Sequence, residues 1–229
     1  AVWKSNDETT TIDLAEGVWT LSDVISLAYS VSIEGKGADK TAICGYADAP
    51  GRLVTLKDPG AALRNLALTN SVGFGGLKIE RGLVDHCRIV RCNSSEYGGC
   101  GAGVHMTGGT LQNSEILDCE MANLSVYGGG IALRGNSAVV SNCTVSGCTC
   151  HCGTRSPEGQ RGGGVYAEAG LLTNCRFVGN GDRSKGNVGI GGGIYSVKPS
   201  TGDTNLRIRN CLIADNRSRV ENTWRGYYQ

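Results

Sequence analysis

Apolar residues return along this chain in short bursts, each fenced by glycines and small polar residues. Residues 162–180, GGGVYAEAGLLTNCRFVGN, show the unit: three glycines, the run Val165-Tyr166-Ala167, then Leu171 and Leu172, Asn174-Cys175, Phe177 and Asn180. Similar stretches begin at Gly75, Gly101, Gly128 and Gly191, and a degenerate copy covers residues 62–71. One column of the aligned copies reads Leu66, Cys87, Ser114, Cys143, Cys175, Cys211, and a second reads Ser71, Cys92, Cys119, Cys148, Asn180, Asn216. Five residues separate the two columns in every copy. Between them runs an apolar column, Leu68, Ile89, Ile116, Val145, Phe177, Ile213. Ahead of the first column stand Asn65, His86, Asn113, Asn142, Asn174 and Asn210. Rigid spacing in one segment and free spacing elsewhere describe a strand held in register and loops that need not be.

The part before the repeats reads the same way without the glycine motif. Strands are expected at Thr11 to Ala15, Val18 to Leu21, Val31 to Glu34, Thr41 to Cys44 and 52–56, with a turn at Asp58-Pro59-Gly60. Residues 22–30 hold at most a helical turn, and no segment carries a convincing helical period. The apolar position after the glycines recurs at Leu77, Val104, Ile131, Val165 and Ile194, in steps of 27, 27, 34 and 29 residues. Those steps are too short and too uneven for propeller blades, which run about 40–50 residues. Coils of two or three brief strands, each stacked on the last, account for the columns. The fold expected is an all-β, single-stranded parallel β-helix of about eight coils, with strands ~4.8 Å apart. It forms one domain over residues 1–229: opening coils at 1–61, then repeat coils at 62–229. The last 13 residues, 217–229, have the character of an inter-coil loop. They suggest a longer chain whose next residues start another coil; the alternative is that Trp224, Tyr227 and Tyr228 plug the open end.

Composition narrows the chemistry. A net charge of +1 gives no overall attraction to nucleic acid, and no apolar run approaches a membrane span. Of 11 cysteines, seven fall in the two columns. Serine and leucine share one column with them, which suits small packing residues; bridges between neighbouring coils, such as Cys92 to Cys119, remain within Cα reach. The cluster Cys148-Thr149-Cys150-His151-Cys152 has soft ligands but lacks the paired knuckles of a structural zinc site, and a Cys150 to Cys100 disulfide is an alternative. No metal and no cofactor is assigned.

The repeats resemble the right-handed parallel β-helix repeats of secreted and surface proteins. They are most similar to the passengers of polymorphic outer-membrane autotransporters, which combine G-G-A-[I/L/V] with F-x-x-N. Gly129-Gly130-Ile131, Gly163-Gly164-Val165 and Gly192-Gly193-Ile194 match the first motif with glycine for alanine. Phe177-Val178-Gly179-Asn180 matches the second, and Ile213-Ala214-Asp215-Asn216 does so with isoleucine for phenylalanine. The earlier repeats carry cysteine where the family has asparagine. The resemblance, over residues 62–216, implies a right-handed coil and an extracellular or cell-surface, adhesin-like structural module that presents variable loops. Because β-helix enzymes act on polysaccharides, it also leaves open a polysaccharide lyase or glycoside hydrolase.

Alternation in the strand after the glycines directs one row of side chains outward: Lys78, His105, Ala132, Tyr166 and Tyr195. A second outward row is Glu80, Thr107, Arg134 and Glu168, in which Arg134 and Glu168 suit a cross-strand ion pair. Lys78, Glu80, His105, Arg134, Tyr166, Glu168 and Tyr195 are the candidate glycan-facing surface. In a lyase, Lys78 and His105 would supply cation and base. The inserts 93–100, 120–127, 149–161 and 181–190 are expected on one side of the coil. There Arg155, Glu158, Arg161, Asp182, Arg183 and Lys185 could meet a polysaccharide or a cell-surface partner.

Overall fold

In the computed structural model, residues 10–46, 51–96, 99–123, 126–151, 160–182, 189–197 and 206–218 are described. The chain winds through three long sheets, and every strand pairs in parallel with the equivalent strand one coil away. The first sheet has eight strands, from Thr10–Asp13 to Leu206–Arg209, and the second has eight, from Gly17–Thr20 to Leu212–Ala214. The third has seven: Ile25–Leu27, Val54–Leu56, Leu77–Ile79, Val104–Met106, Ile131–Leu133, Val165–Ala167 and Ile194–Ser196. Eight coils and all-β architecture agree with the spacing argument. One expectation fails: a strand, Ile25–Leu27, occupies the stretch reserved for a helical turn, because Ile25 and Leu27 complete the first coil by pairing with Val54 and Leu56.

The core is a set of stacked ladders. Leu68, Ile89, Ile116, Val145 and Phe177 stand in register and are fully buried. Val54, Leu77, Val104, Ile131 and Val165 do the same from the third sheet. Parallel sheets with a single inward face explain why alternation, rather than a continuous apolar run, marks these strands.

Two corners per coil place the columns. At the first, Asn65, His86, Asn113, Asn142, Asn174 and Asn210 all take a left-handed backbone, with φ between 48° and 55°. The residue that follows each is the column-one residue, turned inward. The run of asparagines ahead of column one is therefore mainly a backbone requirement, since asparagine tolerates this conformation best among residues with a Cβ. Side-chain stacking does occur from Asn142 to Asn113 (3.2 Å), and Asn113 continues to Asp85 (2.8 Å). The second corner, which the sequence did not disclose, repeats the device one strand later with Asn70, Arg91, Asp118, Gly147, Gly179 and Asp215, each ahead of a column-two residue.

The described ends of the inserts lie between the second and third sheets. Their first residues form an unanticipated short sheet, Asn93–Ser94, Glu120–Ala122, Thr149–His151 and Gly181–Asp182. Their last residues, Cys100, Tyr127, Arg161 and Ile190, bridge one another in line before the chain enters the third sheet.

Candidate functional site

The outer face of the third sheet gathers most of the candidate side chains. Register places Ser26, Thr55, Lys78, His105, Ala132, Tyr166 and Tyr195 in one row across seven coils. The residues just past the strands, Glu80, Thr107, Arg134 and Glu168, follow in a second row, each amide bonded to the coil before. The face is only partly solvated. Ala132 is fully buried and Tyr166 is 5% exposed, because the ends of the inserts fold over the row.

Tyr166 is the centre of a stack. Its ring lies 4.9 Å from that of Tyr127 and 5.9 Å from that of Tyr195, nearly parallel to the latter at 17°. The Arg134 guanidinium sits 5.5 Å from the Tyr166 ring and 5.8 Å from Tyr127. Arg161 reaches Tyr195 at 5.5 Å and Tyr127 at 5.8 Å. Cations over aromatic faces gain from the ring quadrupole, more so when partly desolvated. Glu168 ties the stack together: Tyr166 donates its hydroxyl to Oε1 (2.9 Å), and Arg134 Nε lies 3.2 Å from the same oxygen. That Arg134 approach satisfies charge but is misdirected for a hydrogen bond, and Arg134 Nε has no hydrogen-bond partner. Arg161 Nε is likewise buried without one. Burial, followed by the bond to Glu168, pushes the Tyr166 phenol above its ordinary range, so it stays a donor.

Beside the stack, a cleft of about 380 Å³ is lined by Arg52, Thr55, Phe74, Lys78, Glu96, Gly99, Cys100, His105 and Arg134. Lys78 is paired with Glu80 at 2.7 Å. His105 Nε2 is buried and has no hydrogen-bond partner. Burial, then the charges of Arg52, Arg134 and Lys78, lower the His105 pKa to about 3, so the ring is neutral at physiological pH. Arg52 donates Nη1 to the carbonyl of Gly101 (2.6 Å) and Nη2 to that of Cys100, holding the end of one insert against the sheet.

The structure brings the seven sheet-face candidates together but at different depths. Lys78, Glu80, His105, Arg134 and Tyr195 lie on or beside an accessible surface. Tyr166 supports that surface from within, since Tyr127 and Arg134 cover it, whereas Glu168 beside it stays partly exposed. Of the loop candidates, Arg161 joins the same site, and Asp182 lies in the short strand Gly181–Asp182. Arg155, Glu158, Arg183 and Lys185 lie outside the described residues. Arg52 and Tyr127 were missed, because neither falls in a repeat column. The signal for Tyr127 was present: it precedes Gly128 as Arg161 precedes Gly162.

The column thiols lie apart from this site. Cys119 and Cys148 donate weakly to carbonyls two residues back and one coil down, for example Cys148 to Ser146 and Ile116, both at 3.5 Å. Burial pushes the Cys87 thiol up to about 12 and the Cys119 thiol well above its usual range. Cys92 and Cys119 are separate thiols, not a bridge, and act as small packing residues. Cys150 donates to the Gly162 carbonyl at 3.5 Å, within the wall behind the site. Cys152 lies outside the described residues.

The sequence model of the right-handed β-helix region matches residues 60–226, most of the chain. A search of curated protein sequences gave no significant match.

Proposed function

We propose that this chain, which belongs to the right-handed β-helix family, is a non-catalytic module that binds a polysaccharide across the outer face of its third sheet. The observation that carries the reading is the pre-formed cleft beside the Tyr127–Arg134–Arg161 rim. Thr55, Lys78 and His105 project there from strands of the third sheet, and Arg134 links the cleft to the stacked rings of Tyr127 and Tyr166. Sugars present hydroxyl edges and apolar ring faces. Planar arginines and tyrosines offer matching polar edges and faces at low conformational cost. Register sets Thr55, Lys78 and His105 on successive coils about 4.8 Å apart beside the cleft, a spacing that lets one short saccharide reach all three. An extracellular or cell-surface setting, with adhesin-like use of the inserts, belongs to the same proposal and rests on the resemblance to surface β-helix repeats.

Two features argue against turnover. A base that abstracts a proton works best with a pKa near the working pH; burial and three cations hold His105 near 3. A glycosidase needs two carboxyl groups flanking the bond, whereas among the described residues Glu96 is the one carboxylate on the cleft lining. Glycan-array binding by the whole chain, with Lys78→Ala and Tyr195→Ala beside it, tests the proposal. A polysaccharide ligand weakened roughly tenfold by each substitution is expected, with no unsaturated or reducing-end product released from that ligand. Binding insensitive to both substitutions, or steady product release, would overturn it.

A further inference from the structure

The cleft contains a cation without a counter-ion. The Arg52 guanidinium is turned onto backbone carbonyls, those of Gly101, Cys100 and, at 3.5 Å, Leu77. Among the described residues no carboxylate forms an ion pair with it. Desolvation lowers its pKa to about 10 despite the opposing pull of Glu96. The space it fills is built: Gly75 takes φ +96°, and a Cβ there would lie 2.7 Å from Arg52 Nη1. Of the three cations on the lining, Lys78 is paired with Glu80 and Arg134 with Glu168, which leaves Arg52 facing the exposed Glu96 without an ion pair among the described residues. His105 adds a buried ring nitrogen with no partner. A desolvated guanidinium and an unpartnered imidazole nitrogen both gain from an anionic acceptor, and charge-assisted hydrogen bonds are the stronger kind.

We infer that this cleft is a site for a compact oxoanion, a carboxylate, sulfate or phosphate group, held among Arg52, Lys78, His105 and Arg134. The inference rests on the glycan-binding reading only in making the anion a substituent of a sugar; the site itself stands on the unpaired Arg52 guanidinium and the unpartnered His105 nitrogen beside the cleft. The groups facing His105 fix the pH dependence. Lys78 and Glu80 come from the neighbouring strand on one side, Arg134 from the other, Arg52 from the preceding turn, and Glu96 and Cys100 from the insert. An anion placed among them offsets the cations that keep the ring neutral, so binding raises the proton affinity of His105. The gain in affinity is then complete only below the free-state pKa of about 3 and is lost as pH rises from there through the bound-state pKa.

The whole chain, titrated with sodium sulfate, sodium phosphate and sodium acetate at ionic strength held constant with sodium chloride, tests the inference by NMR. Saturable shifts confined to the cleft are expected for at least one of these ions, and the preferred ion identifies the group. Lys78→Gln, whose fold is checked in the same spectra, should weaken binding roughly tenfold. The His105 ring signal, assigned with His105→Gln, should titrate at higher pH when the ion is bound. Shifts that never saturate, a Lys78→Gln affinity equal to that of the unaltered chain, or an unmoved His105 titration would overturn the site. Binding of an inorganic ion without any glycan would leave the site standing and remove the glycan reading. Glycan binding with no inorganic ion bound would do the reverse.

Discussion

Column two shows how single residues hold one coil to the next. Asn180 donates Nδ2 to the Val145 carbonyl (2.9 Å) and accepts the Cys148 amide at Oδ1 (3.0 Å), both in the coil below. Asn216 repeats this with Phe177 and the Asn180 amide. Cysteine at the same position makes only the weak donation to a carbonyl, as Cys148 does to Ile116 at 3.5 Å. Cysteine, in three successive coils, and asparagine, in the next two, both serve in the column because each is small enough and each can donate. Cys148→Asn should therefore be accommodated within about 1 kcal/mol, its amide taking the Ile116 carbonyl and the Cys119 amide. Cys148→Asp, the same shape with an unpaired buried charge, should cost about 3 kcal/mol or more. Denaturant unfolding of both variants decides the matter; equal losses would contradict this account of the column.

At the scale of the element, each glycine triplet does two jobs that its composition alone does not reveal. The first glycine, as in Gly128, Gly162 and Gly191, turns the chain at φ of 71° to 73°. The third faces column two across the core. A Cβ on Gly130 would lie 3.1 Å from Cys148 Sγ, and one on Gly164 would lie 3.0 Å from Asn180 and 2.5 Å from the Gly193 carbonyl. Gly164→Ala should therefore cost about 1–3 kcal/mol through overpacking. Gly179 also has a positive φ, 67°, but a Cβ there meets only Ser146 Oγ at 4.0 Å. Other coils carry Asn70, Arg91, Asp118 and Asp215 at this corner. Gly179→Asn should change stability by about 1 kcal/mol or less in either direction. Thermal unfolding of the pair distinguishes a glycine kept for packing from one kept only for backbone angle. Reversed magnitudes would contradict the distinction.

For the whole molecule, the legible part of the sequence was what repeats. Spacing between Cys175 and Asn180, and its counterparts, sets the second sheet, and the Gly-Gly-x-Ile/Val step sets the third. What did not repeat stayed hidden. Ile25–Leu27 lacks the glycine motif, and its strand exists because the coil above offers Val54–Leu56 as a partner. The left-handed corner before column two was masked by its mixture of Asn, Arg, Asp and Gly, residues alike only in backbone angle. The site was half legible. Alternation identified the outward row, but Arg52 and Tyr127 enter it from segments of variable length, and only three-dimensional contact shows Tyr166 covered by Tyr127 and Arg134. The same contacts join Tyr127 and Arg161, the described ends of two inserts, to the sheet face, and the proposed function rests on that shared surface. A crystal structure of the chain with its best-binding oligosaccharide tests that claim most directly. The account predicts a glycan lying along the third sheet, in contact with Lys78, His105 and Tyr195 and bordered by Arg161. A glycan bound on the first or second sheet, with the third-sheet cleft empty, would contradict it.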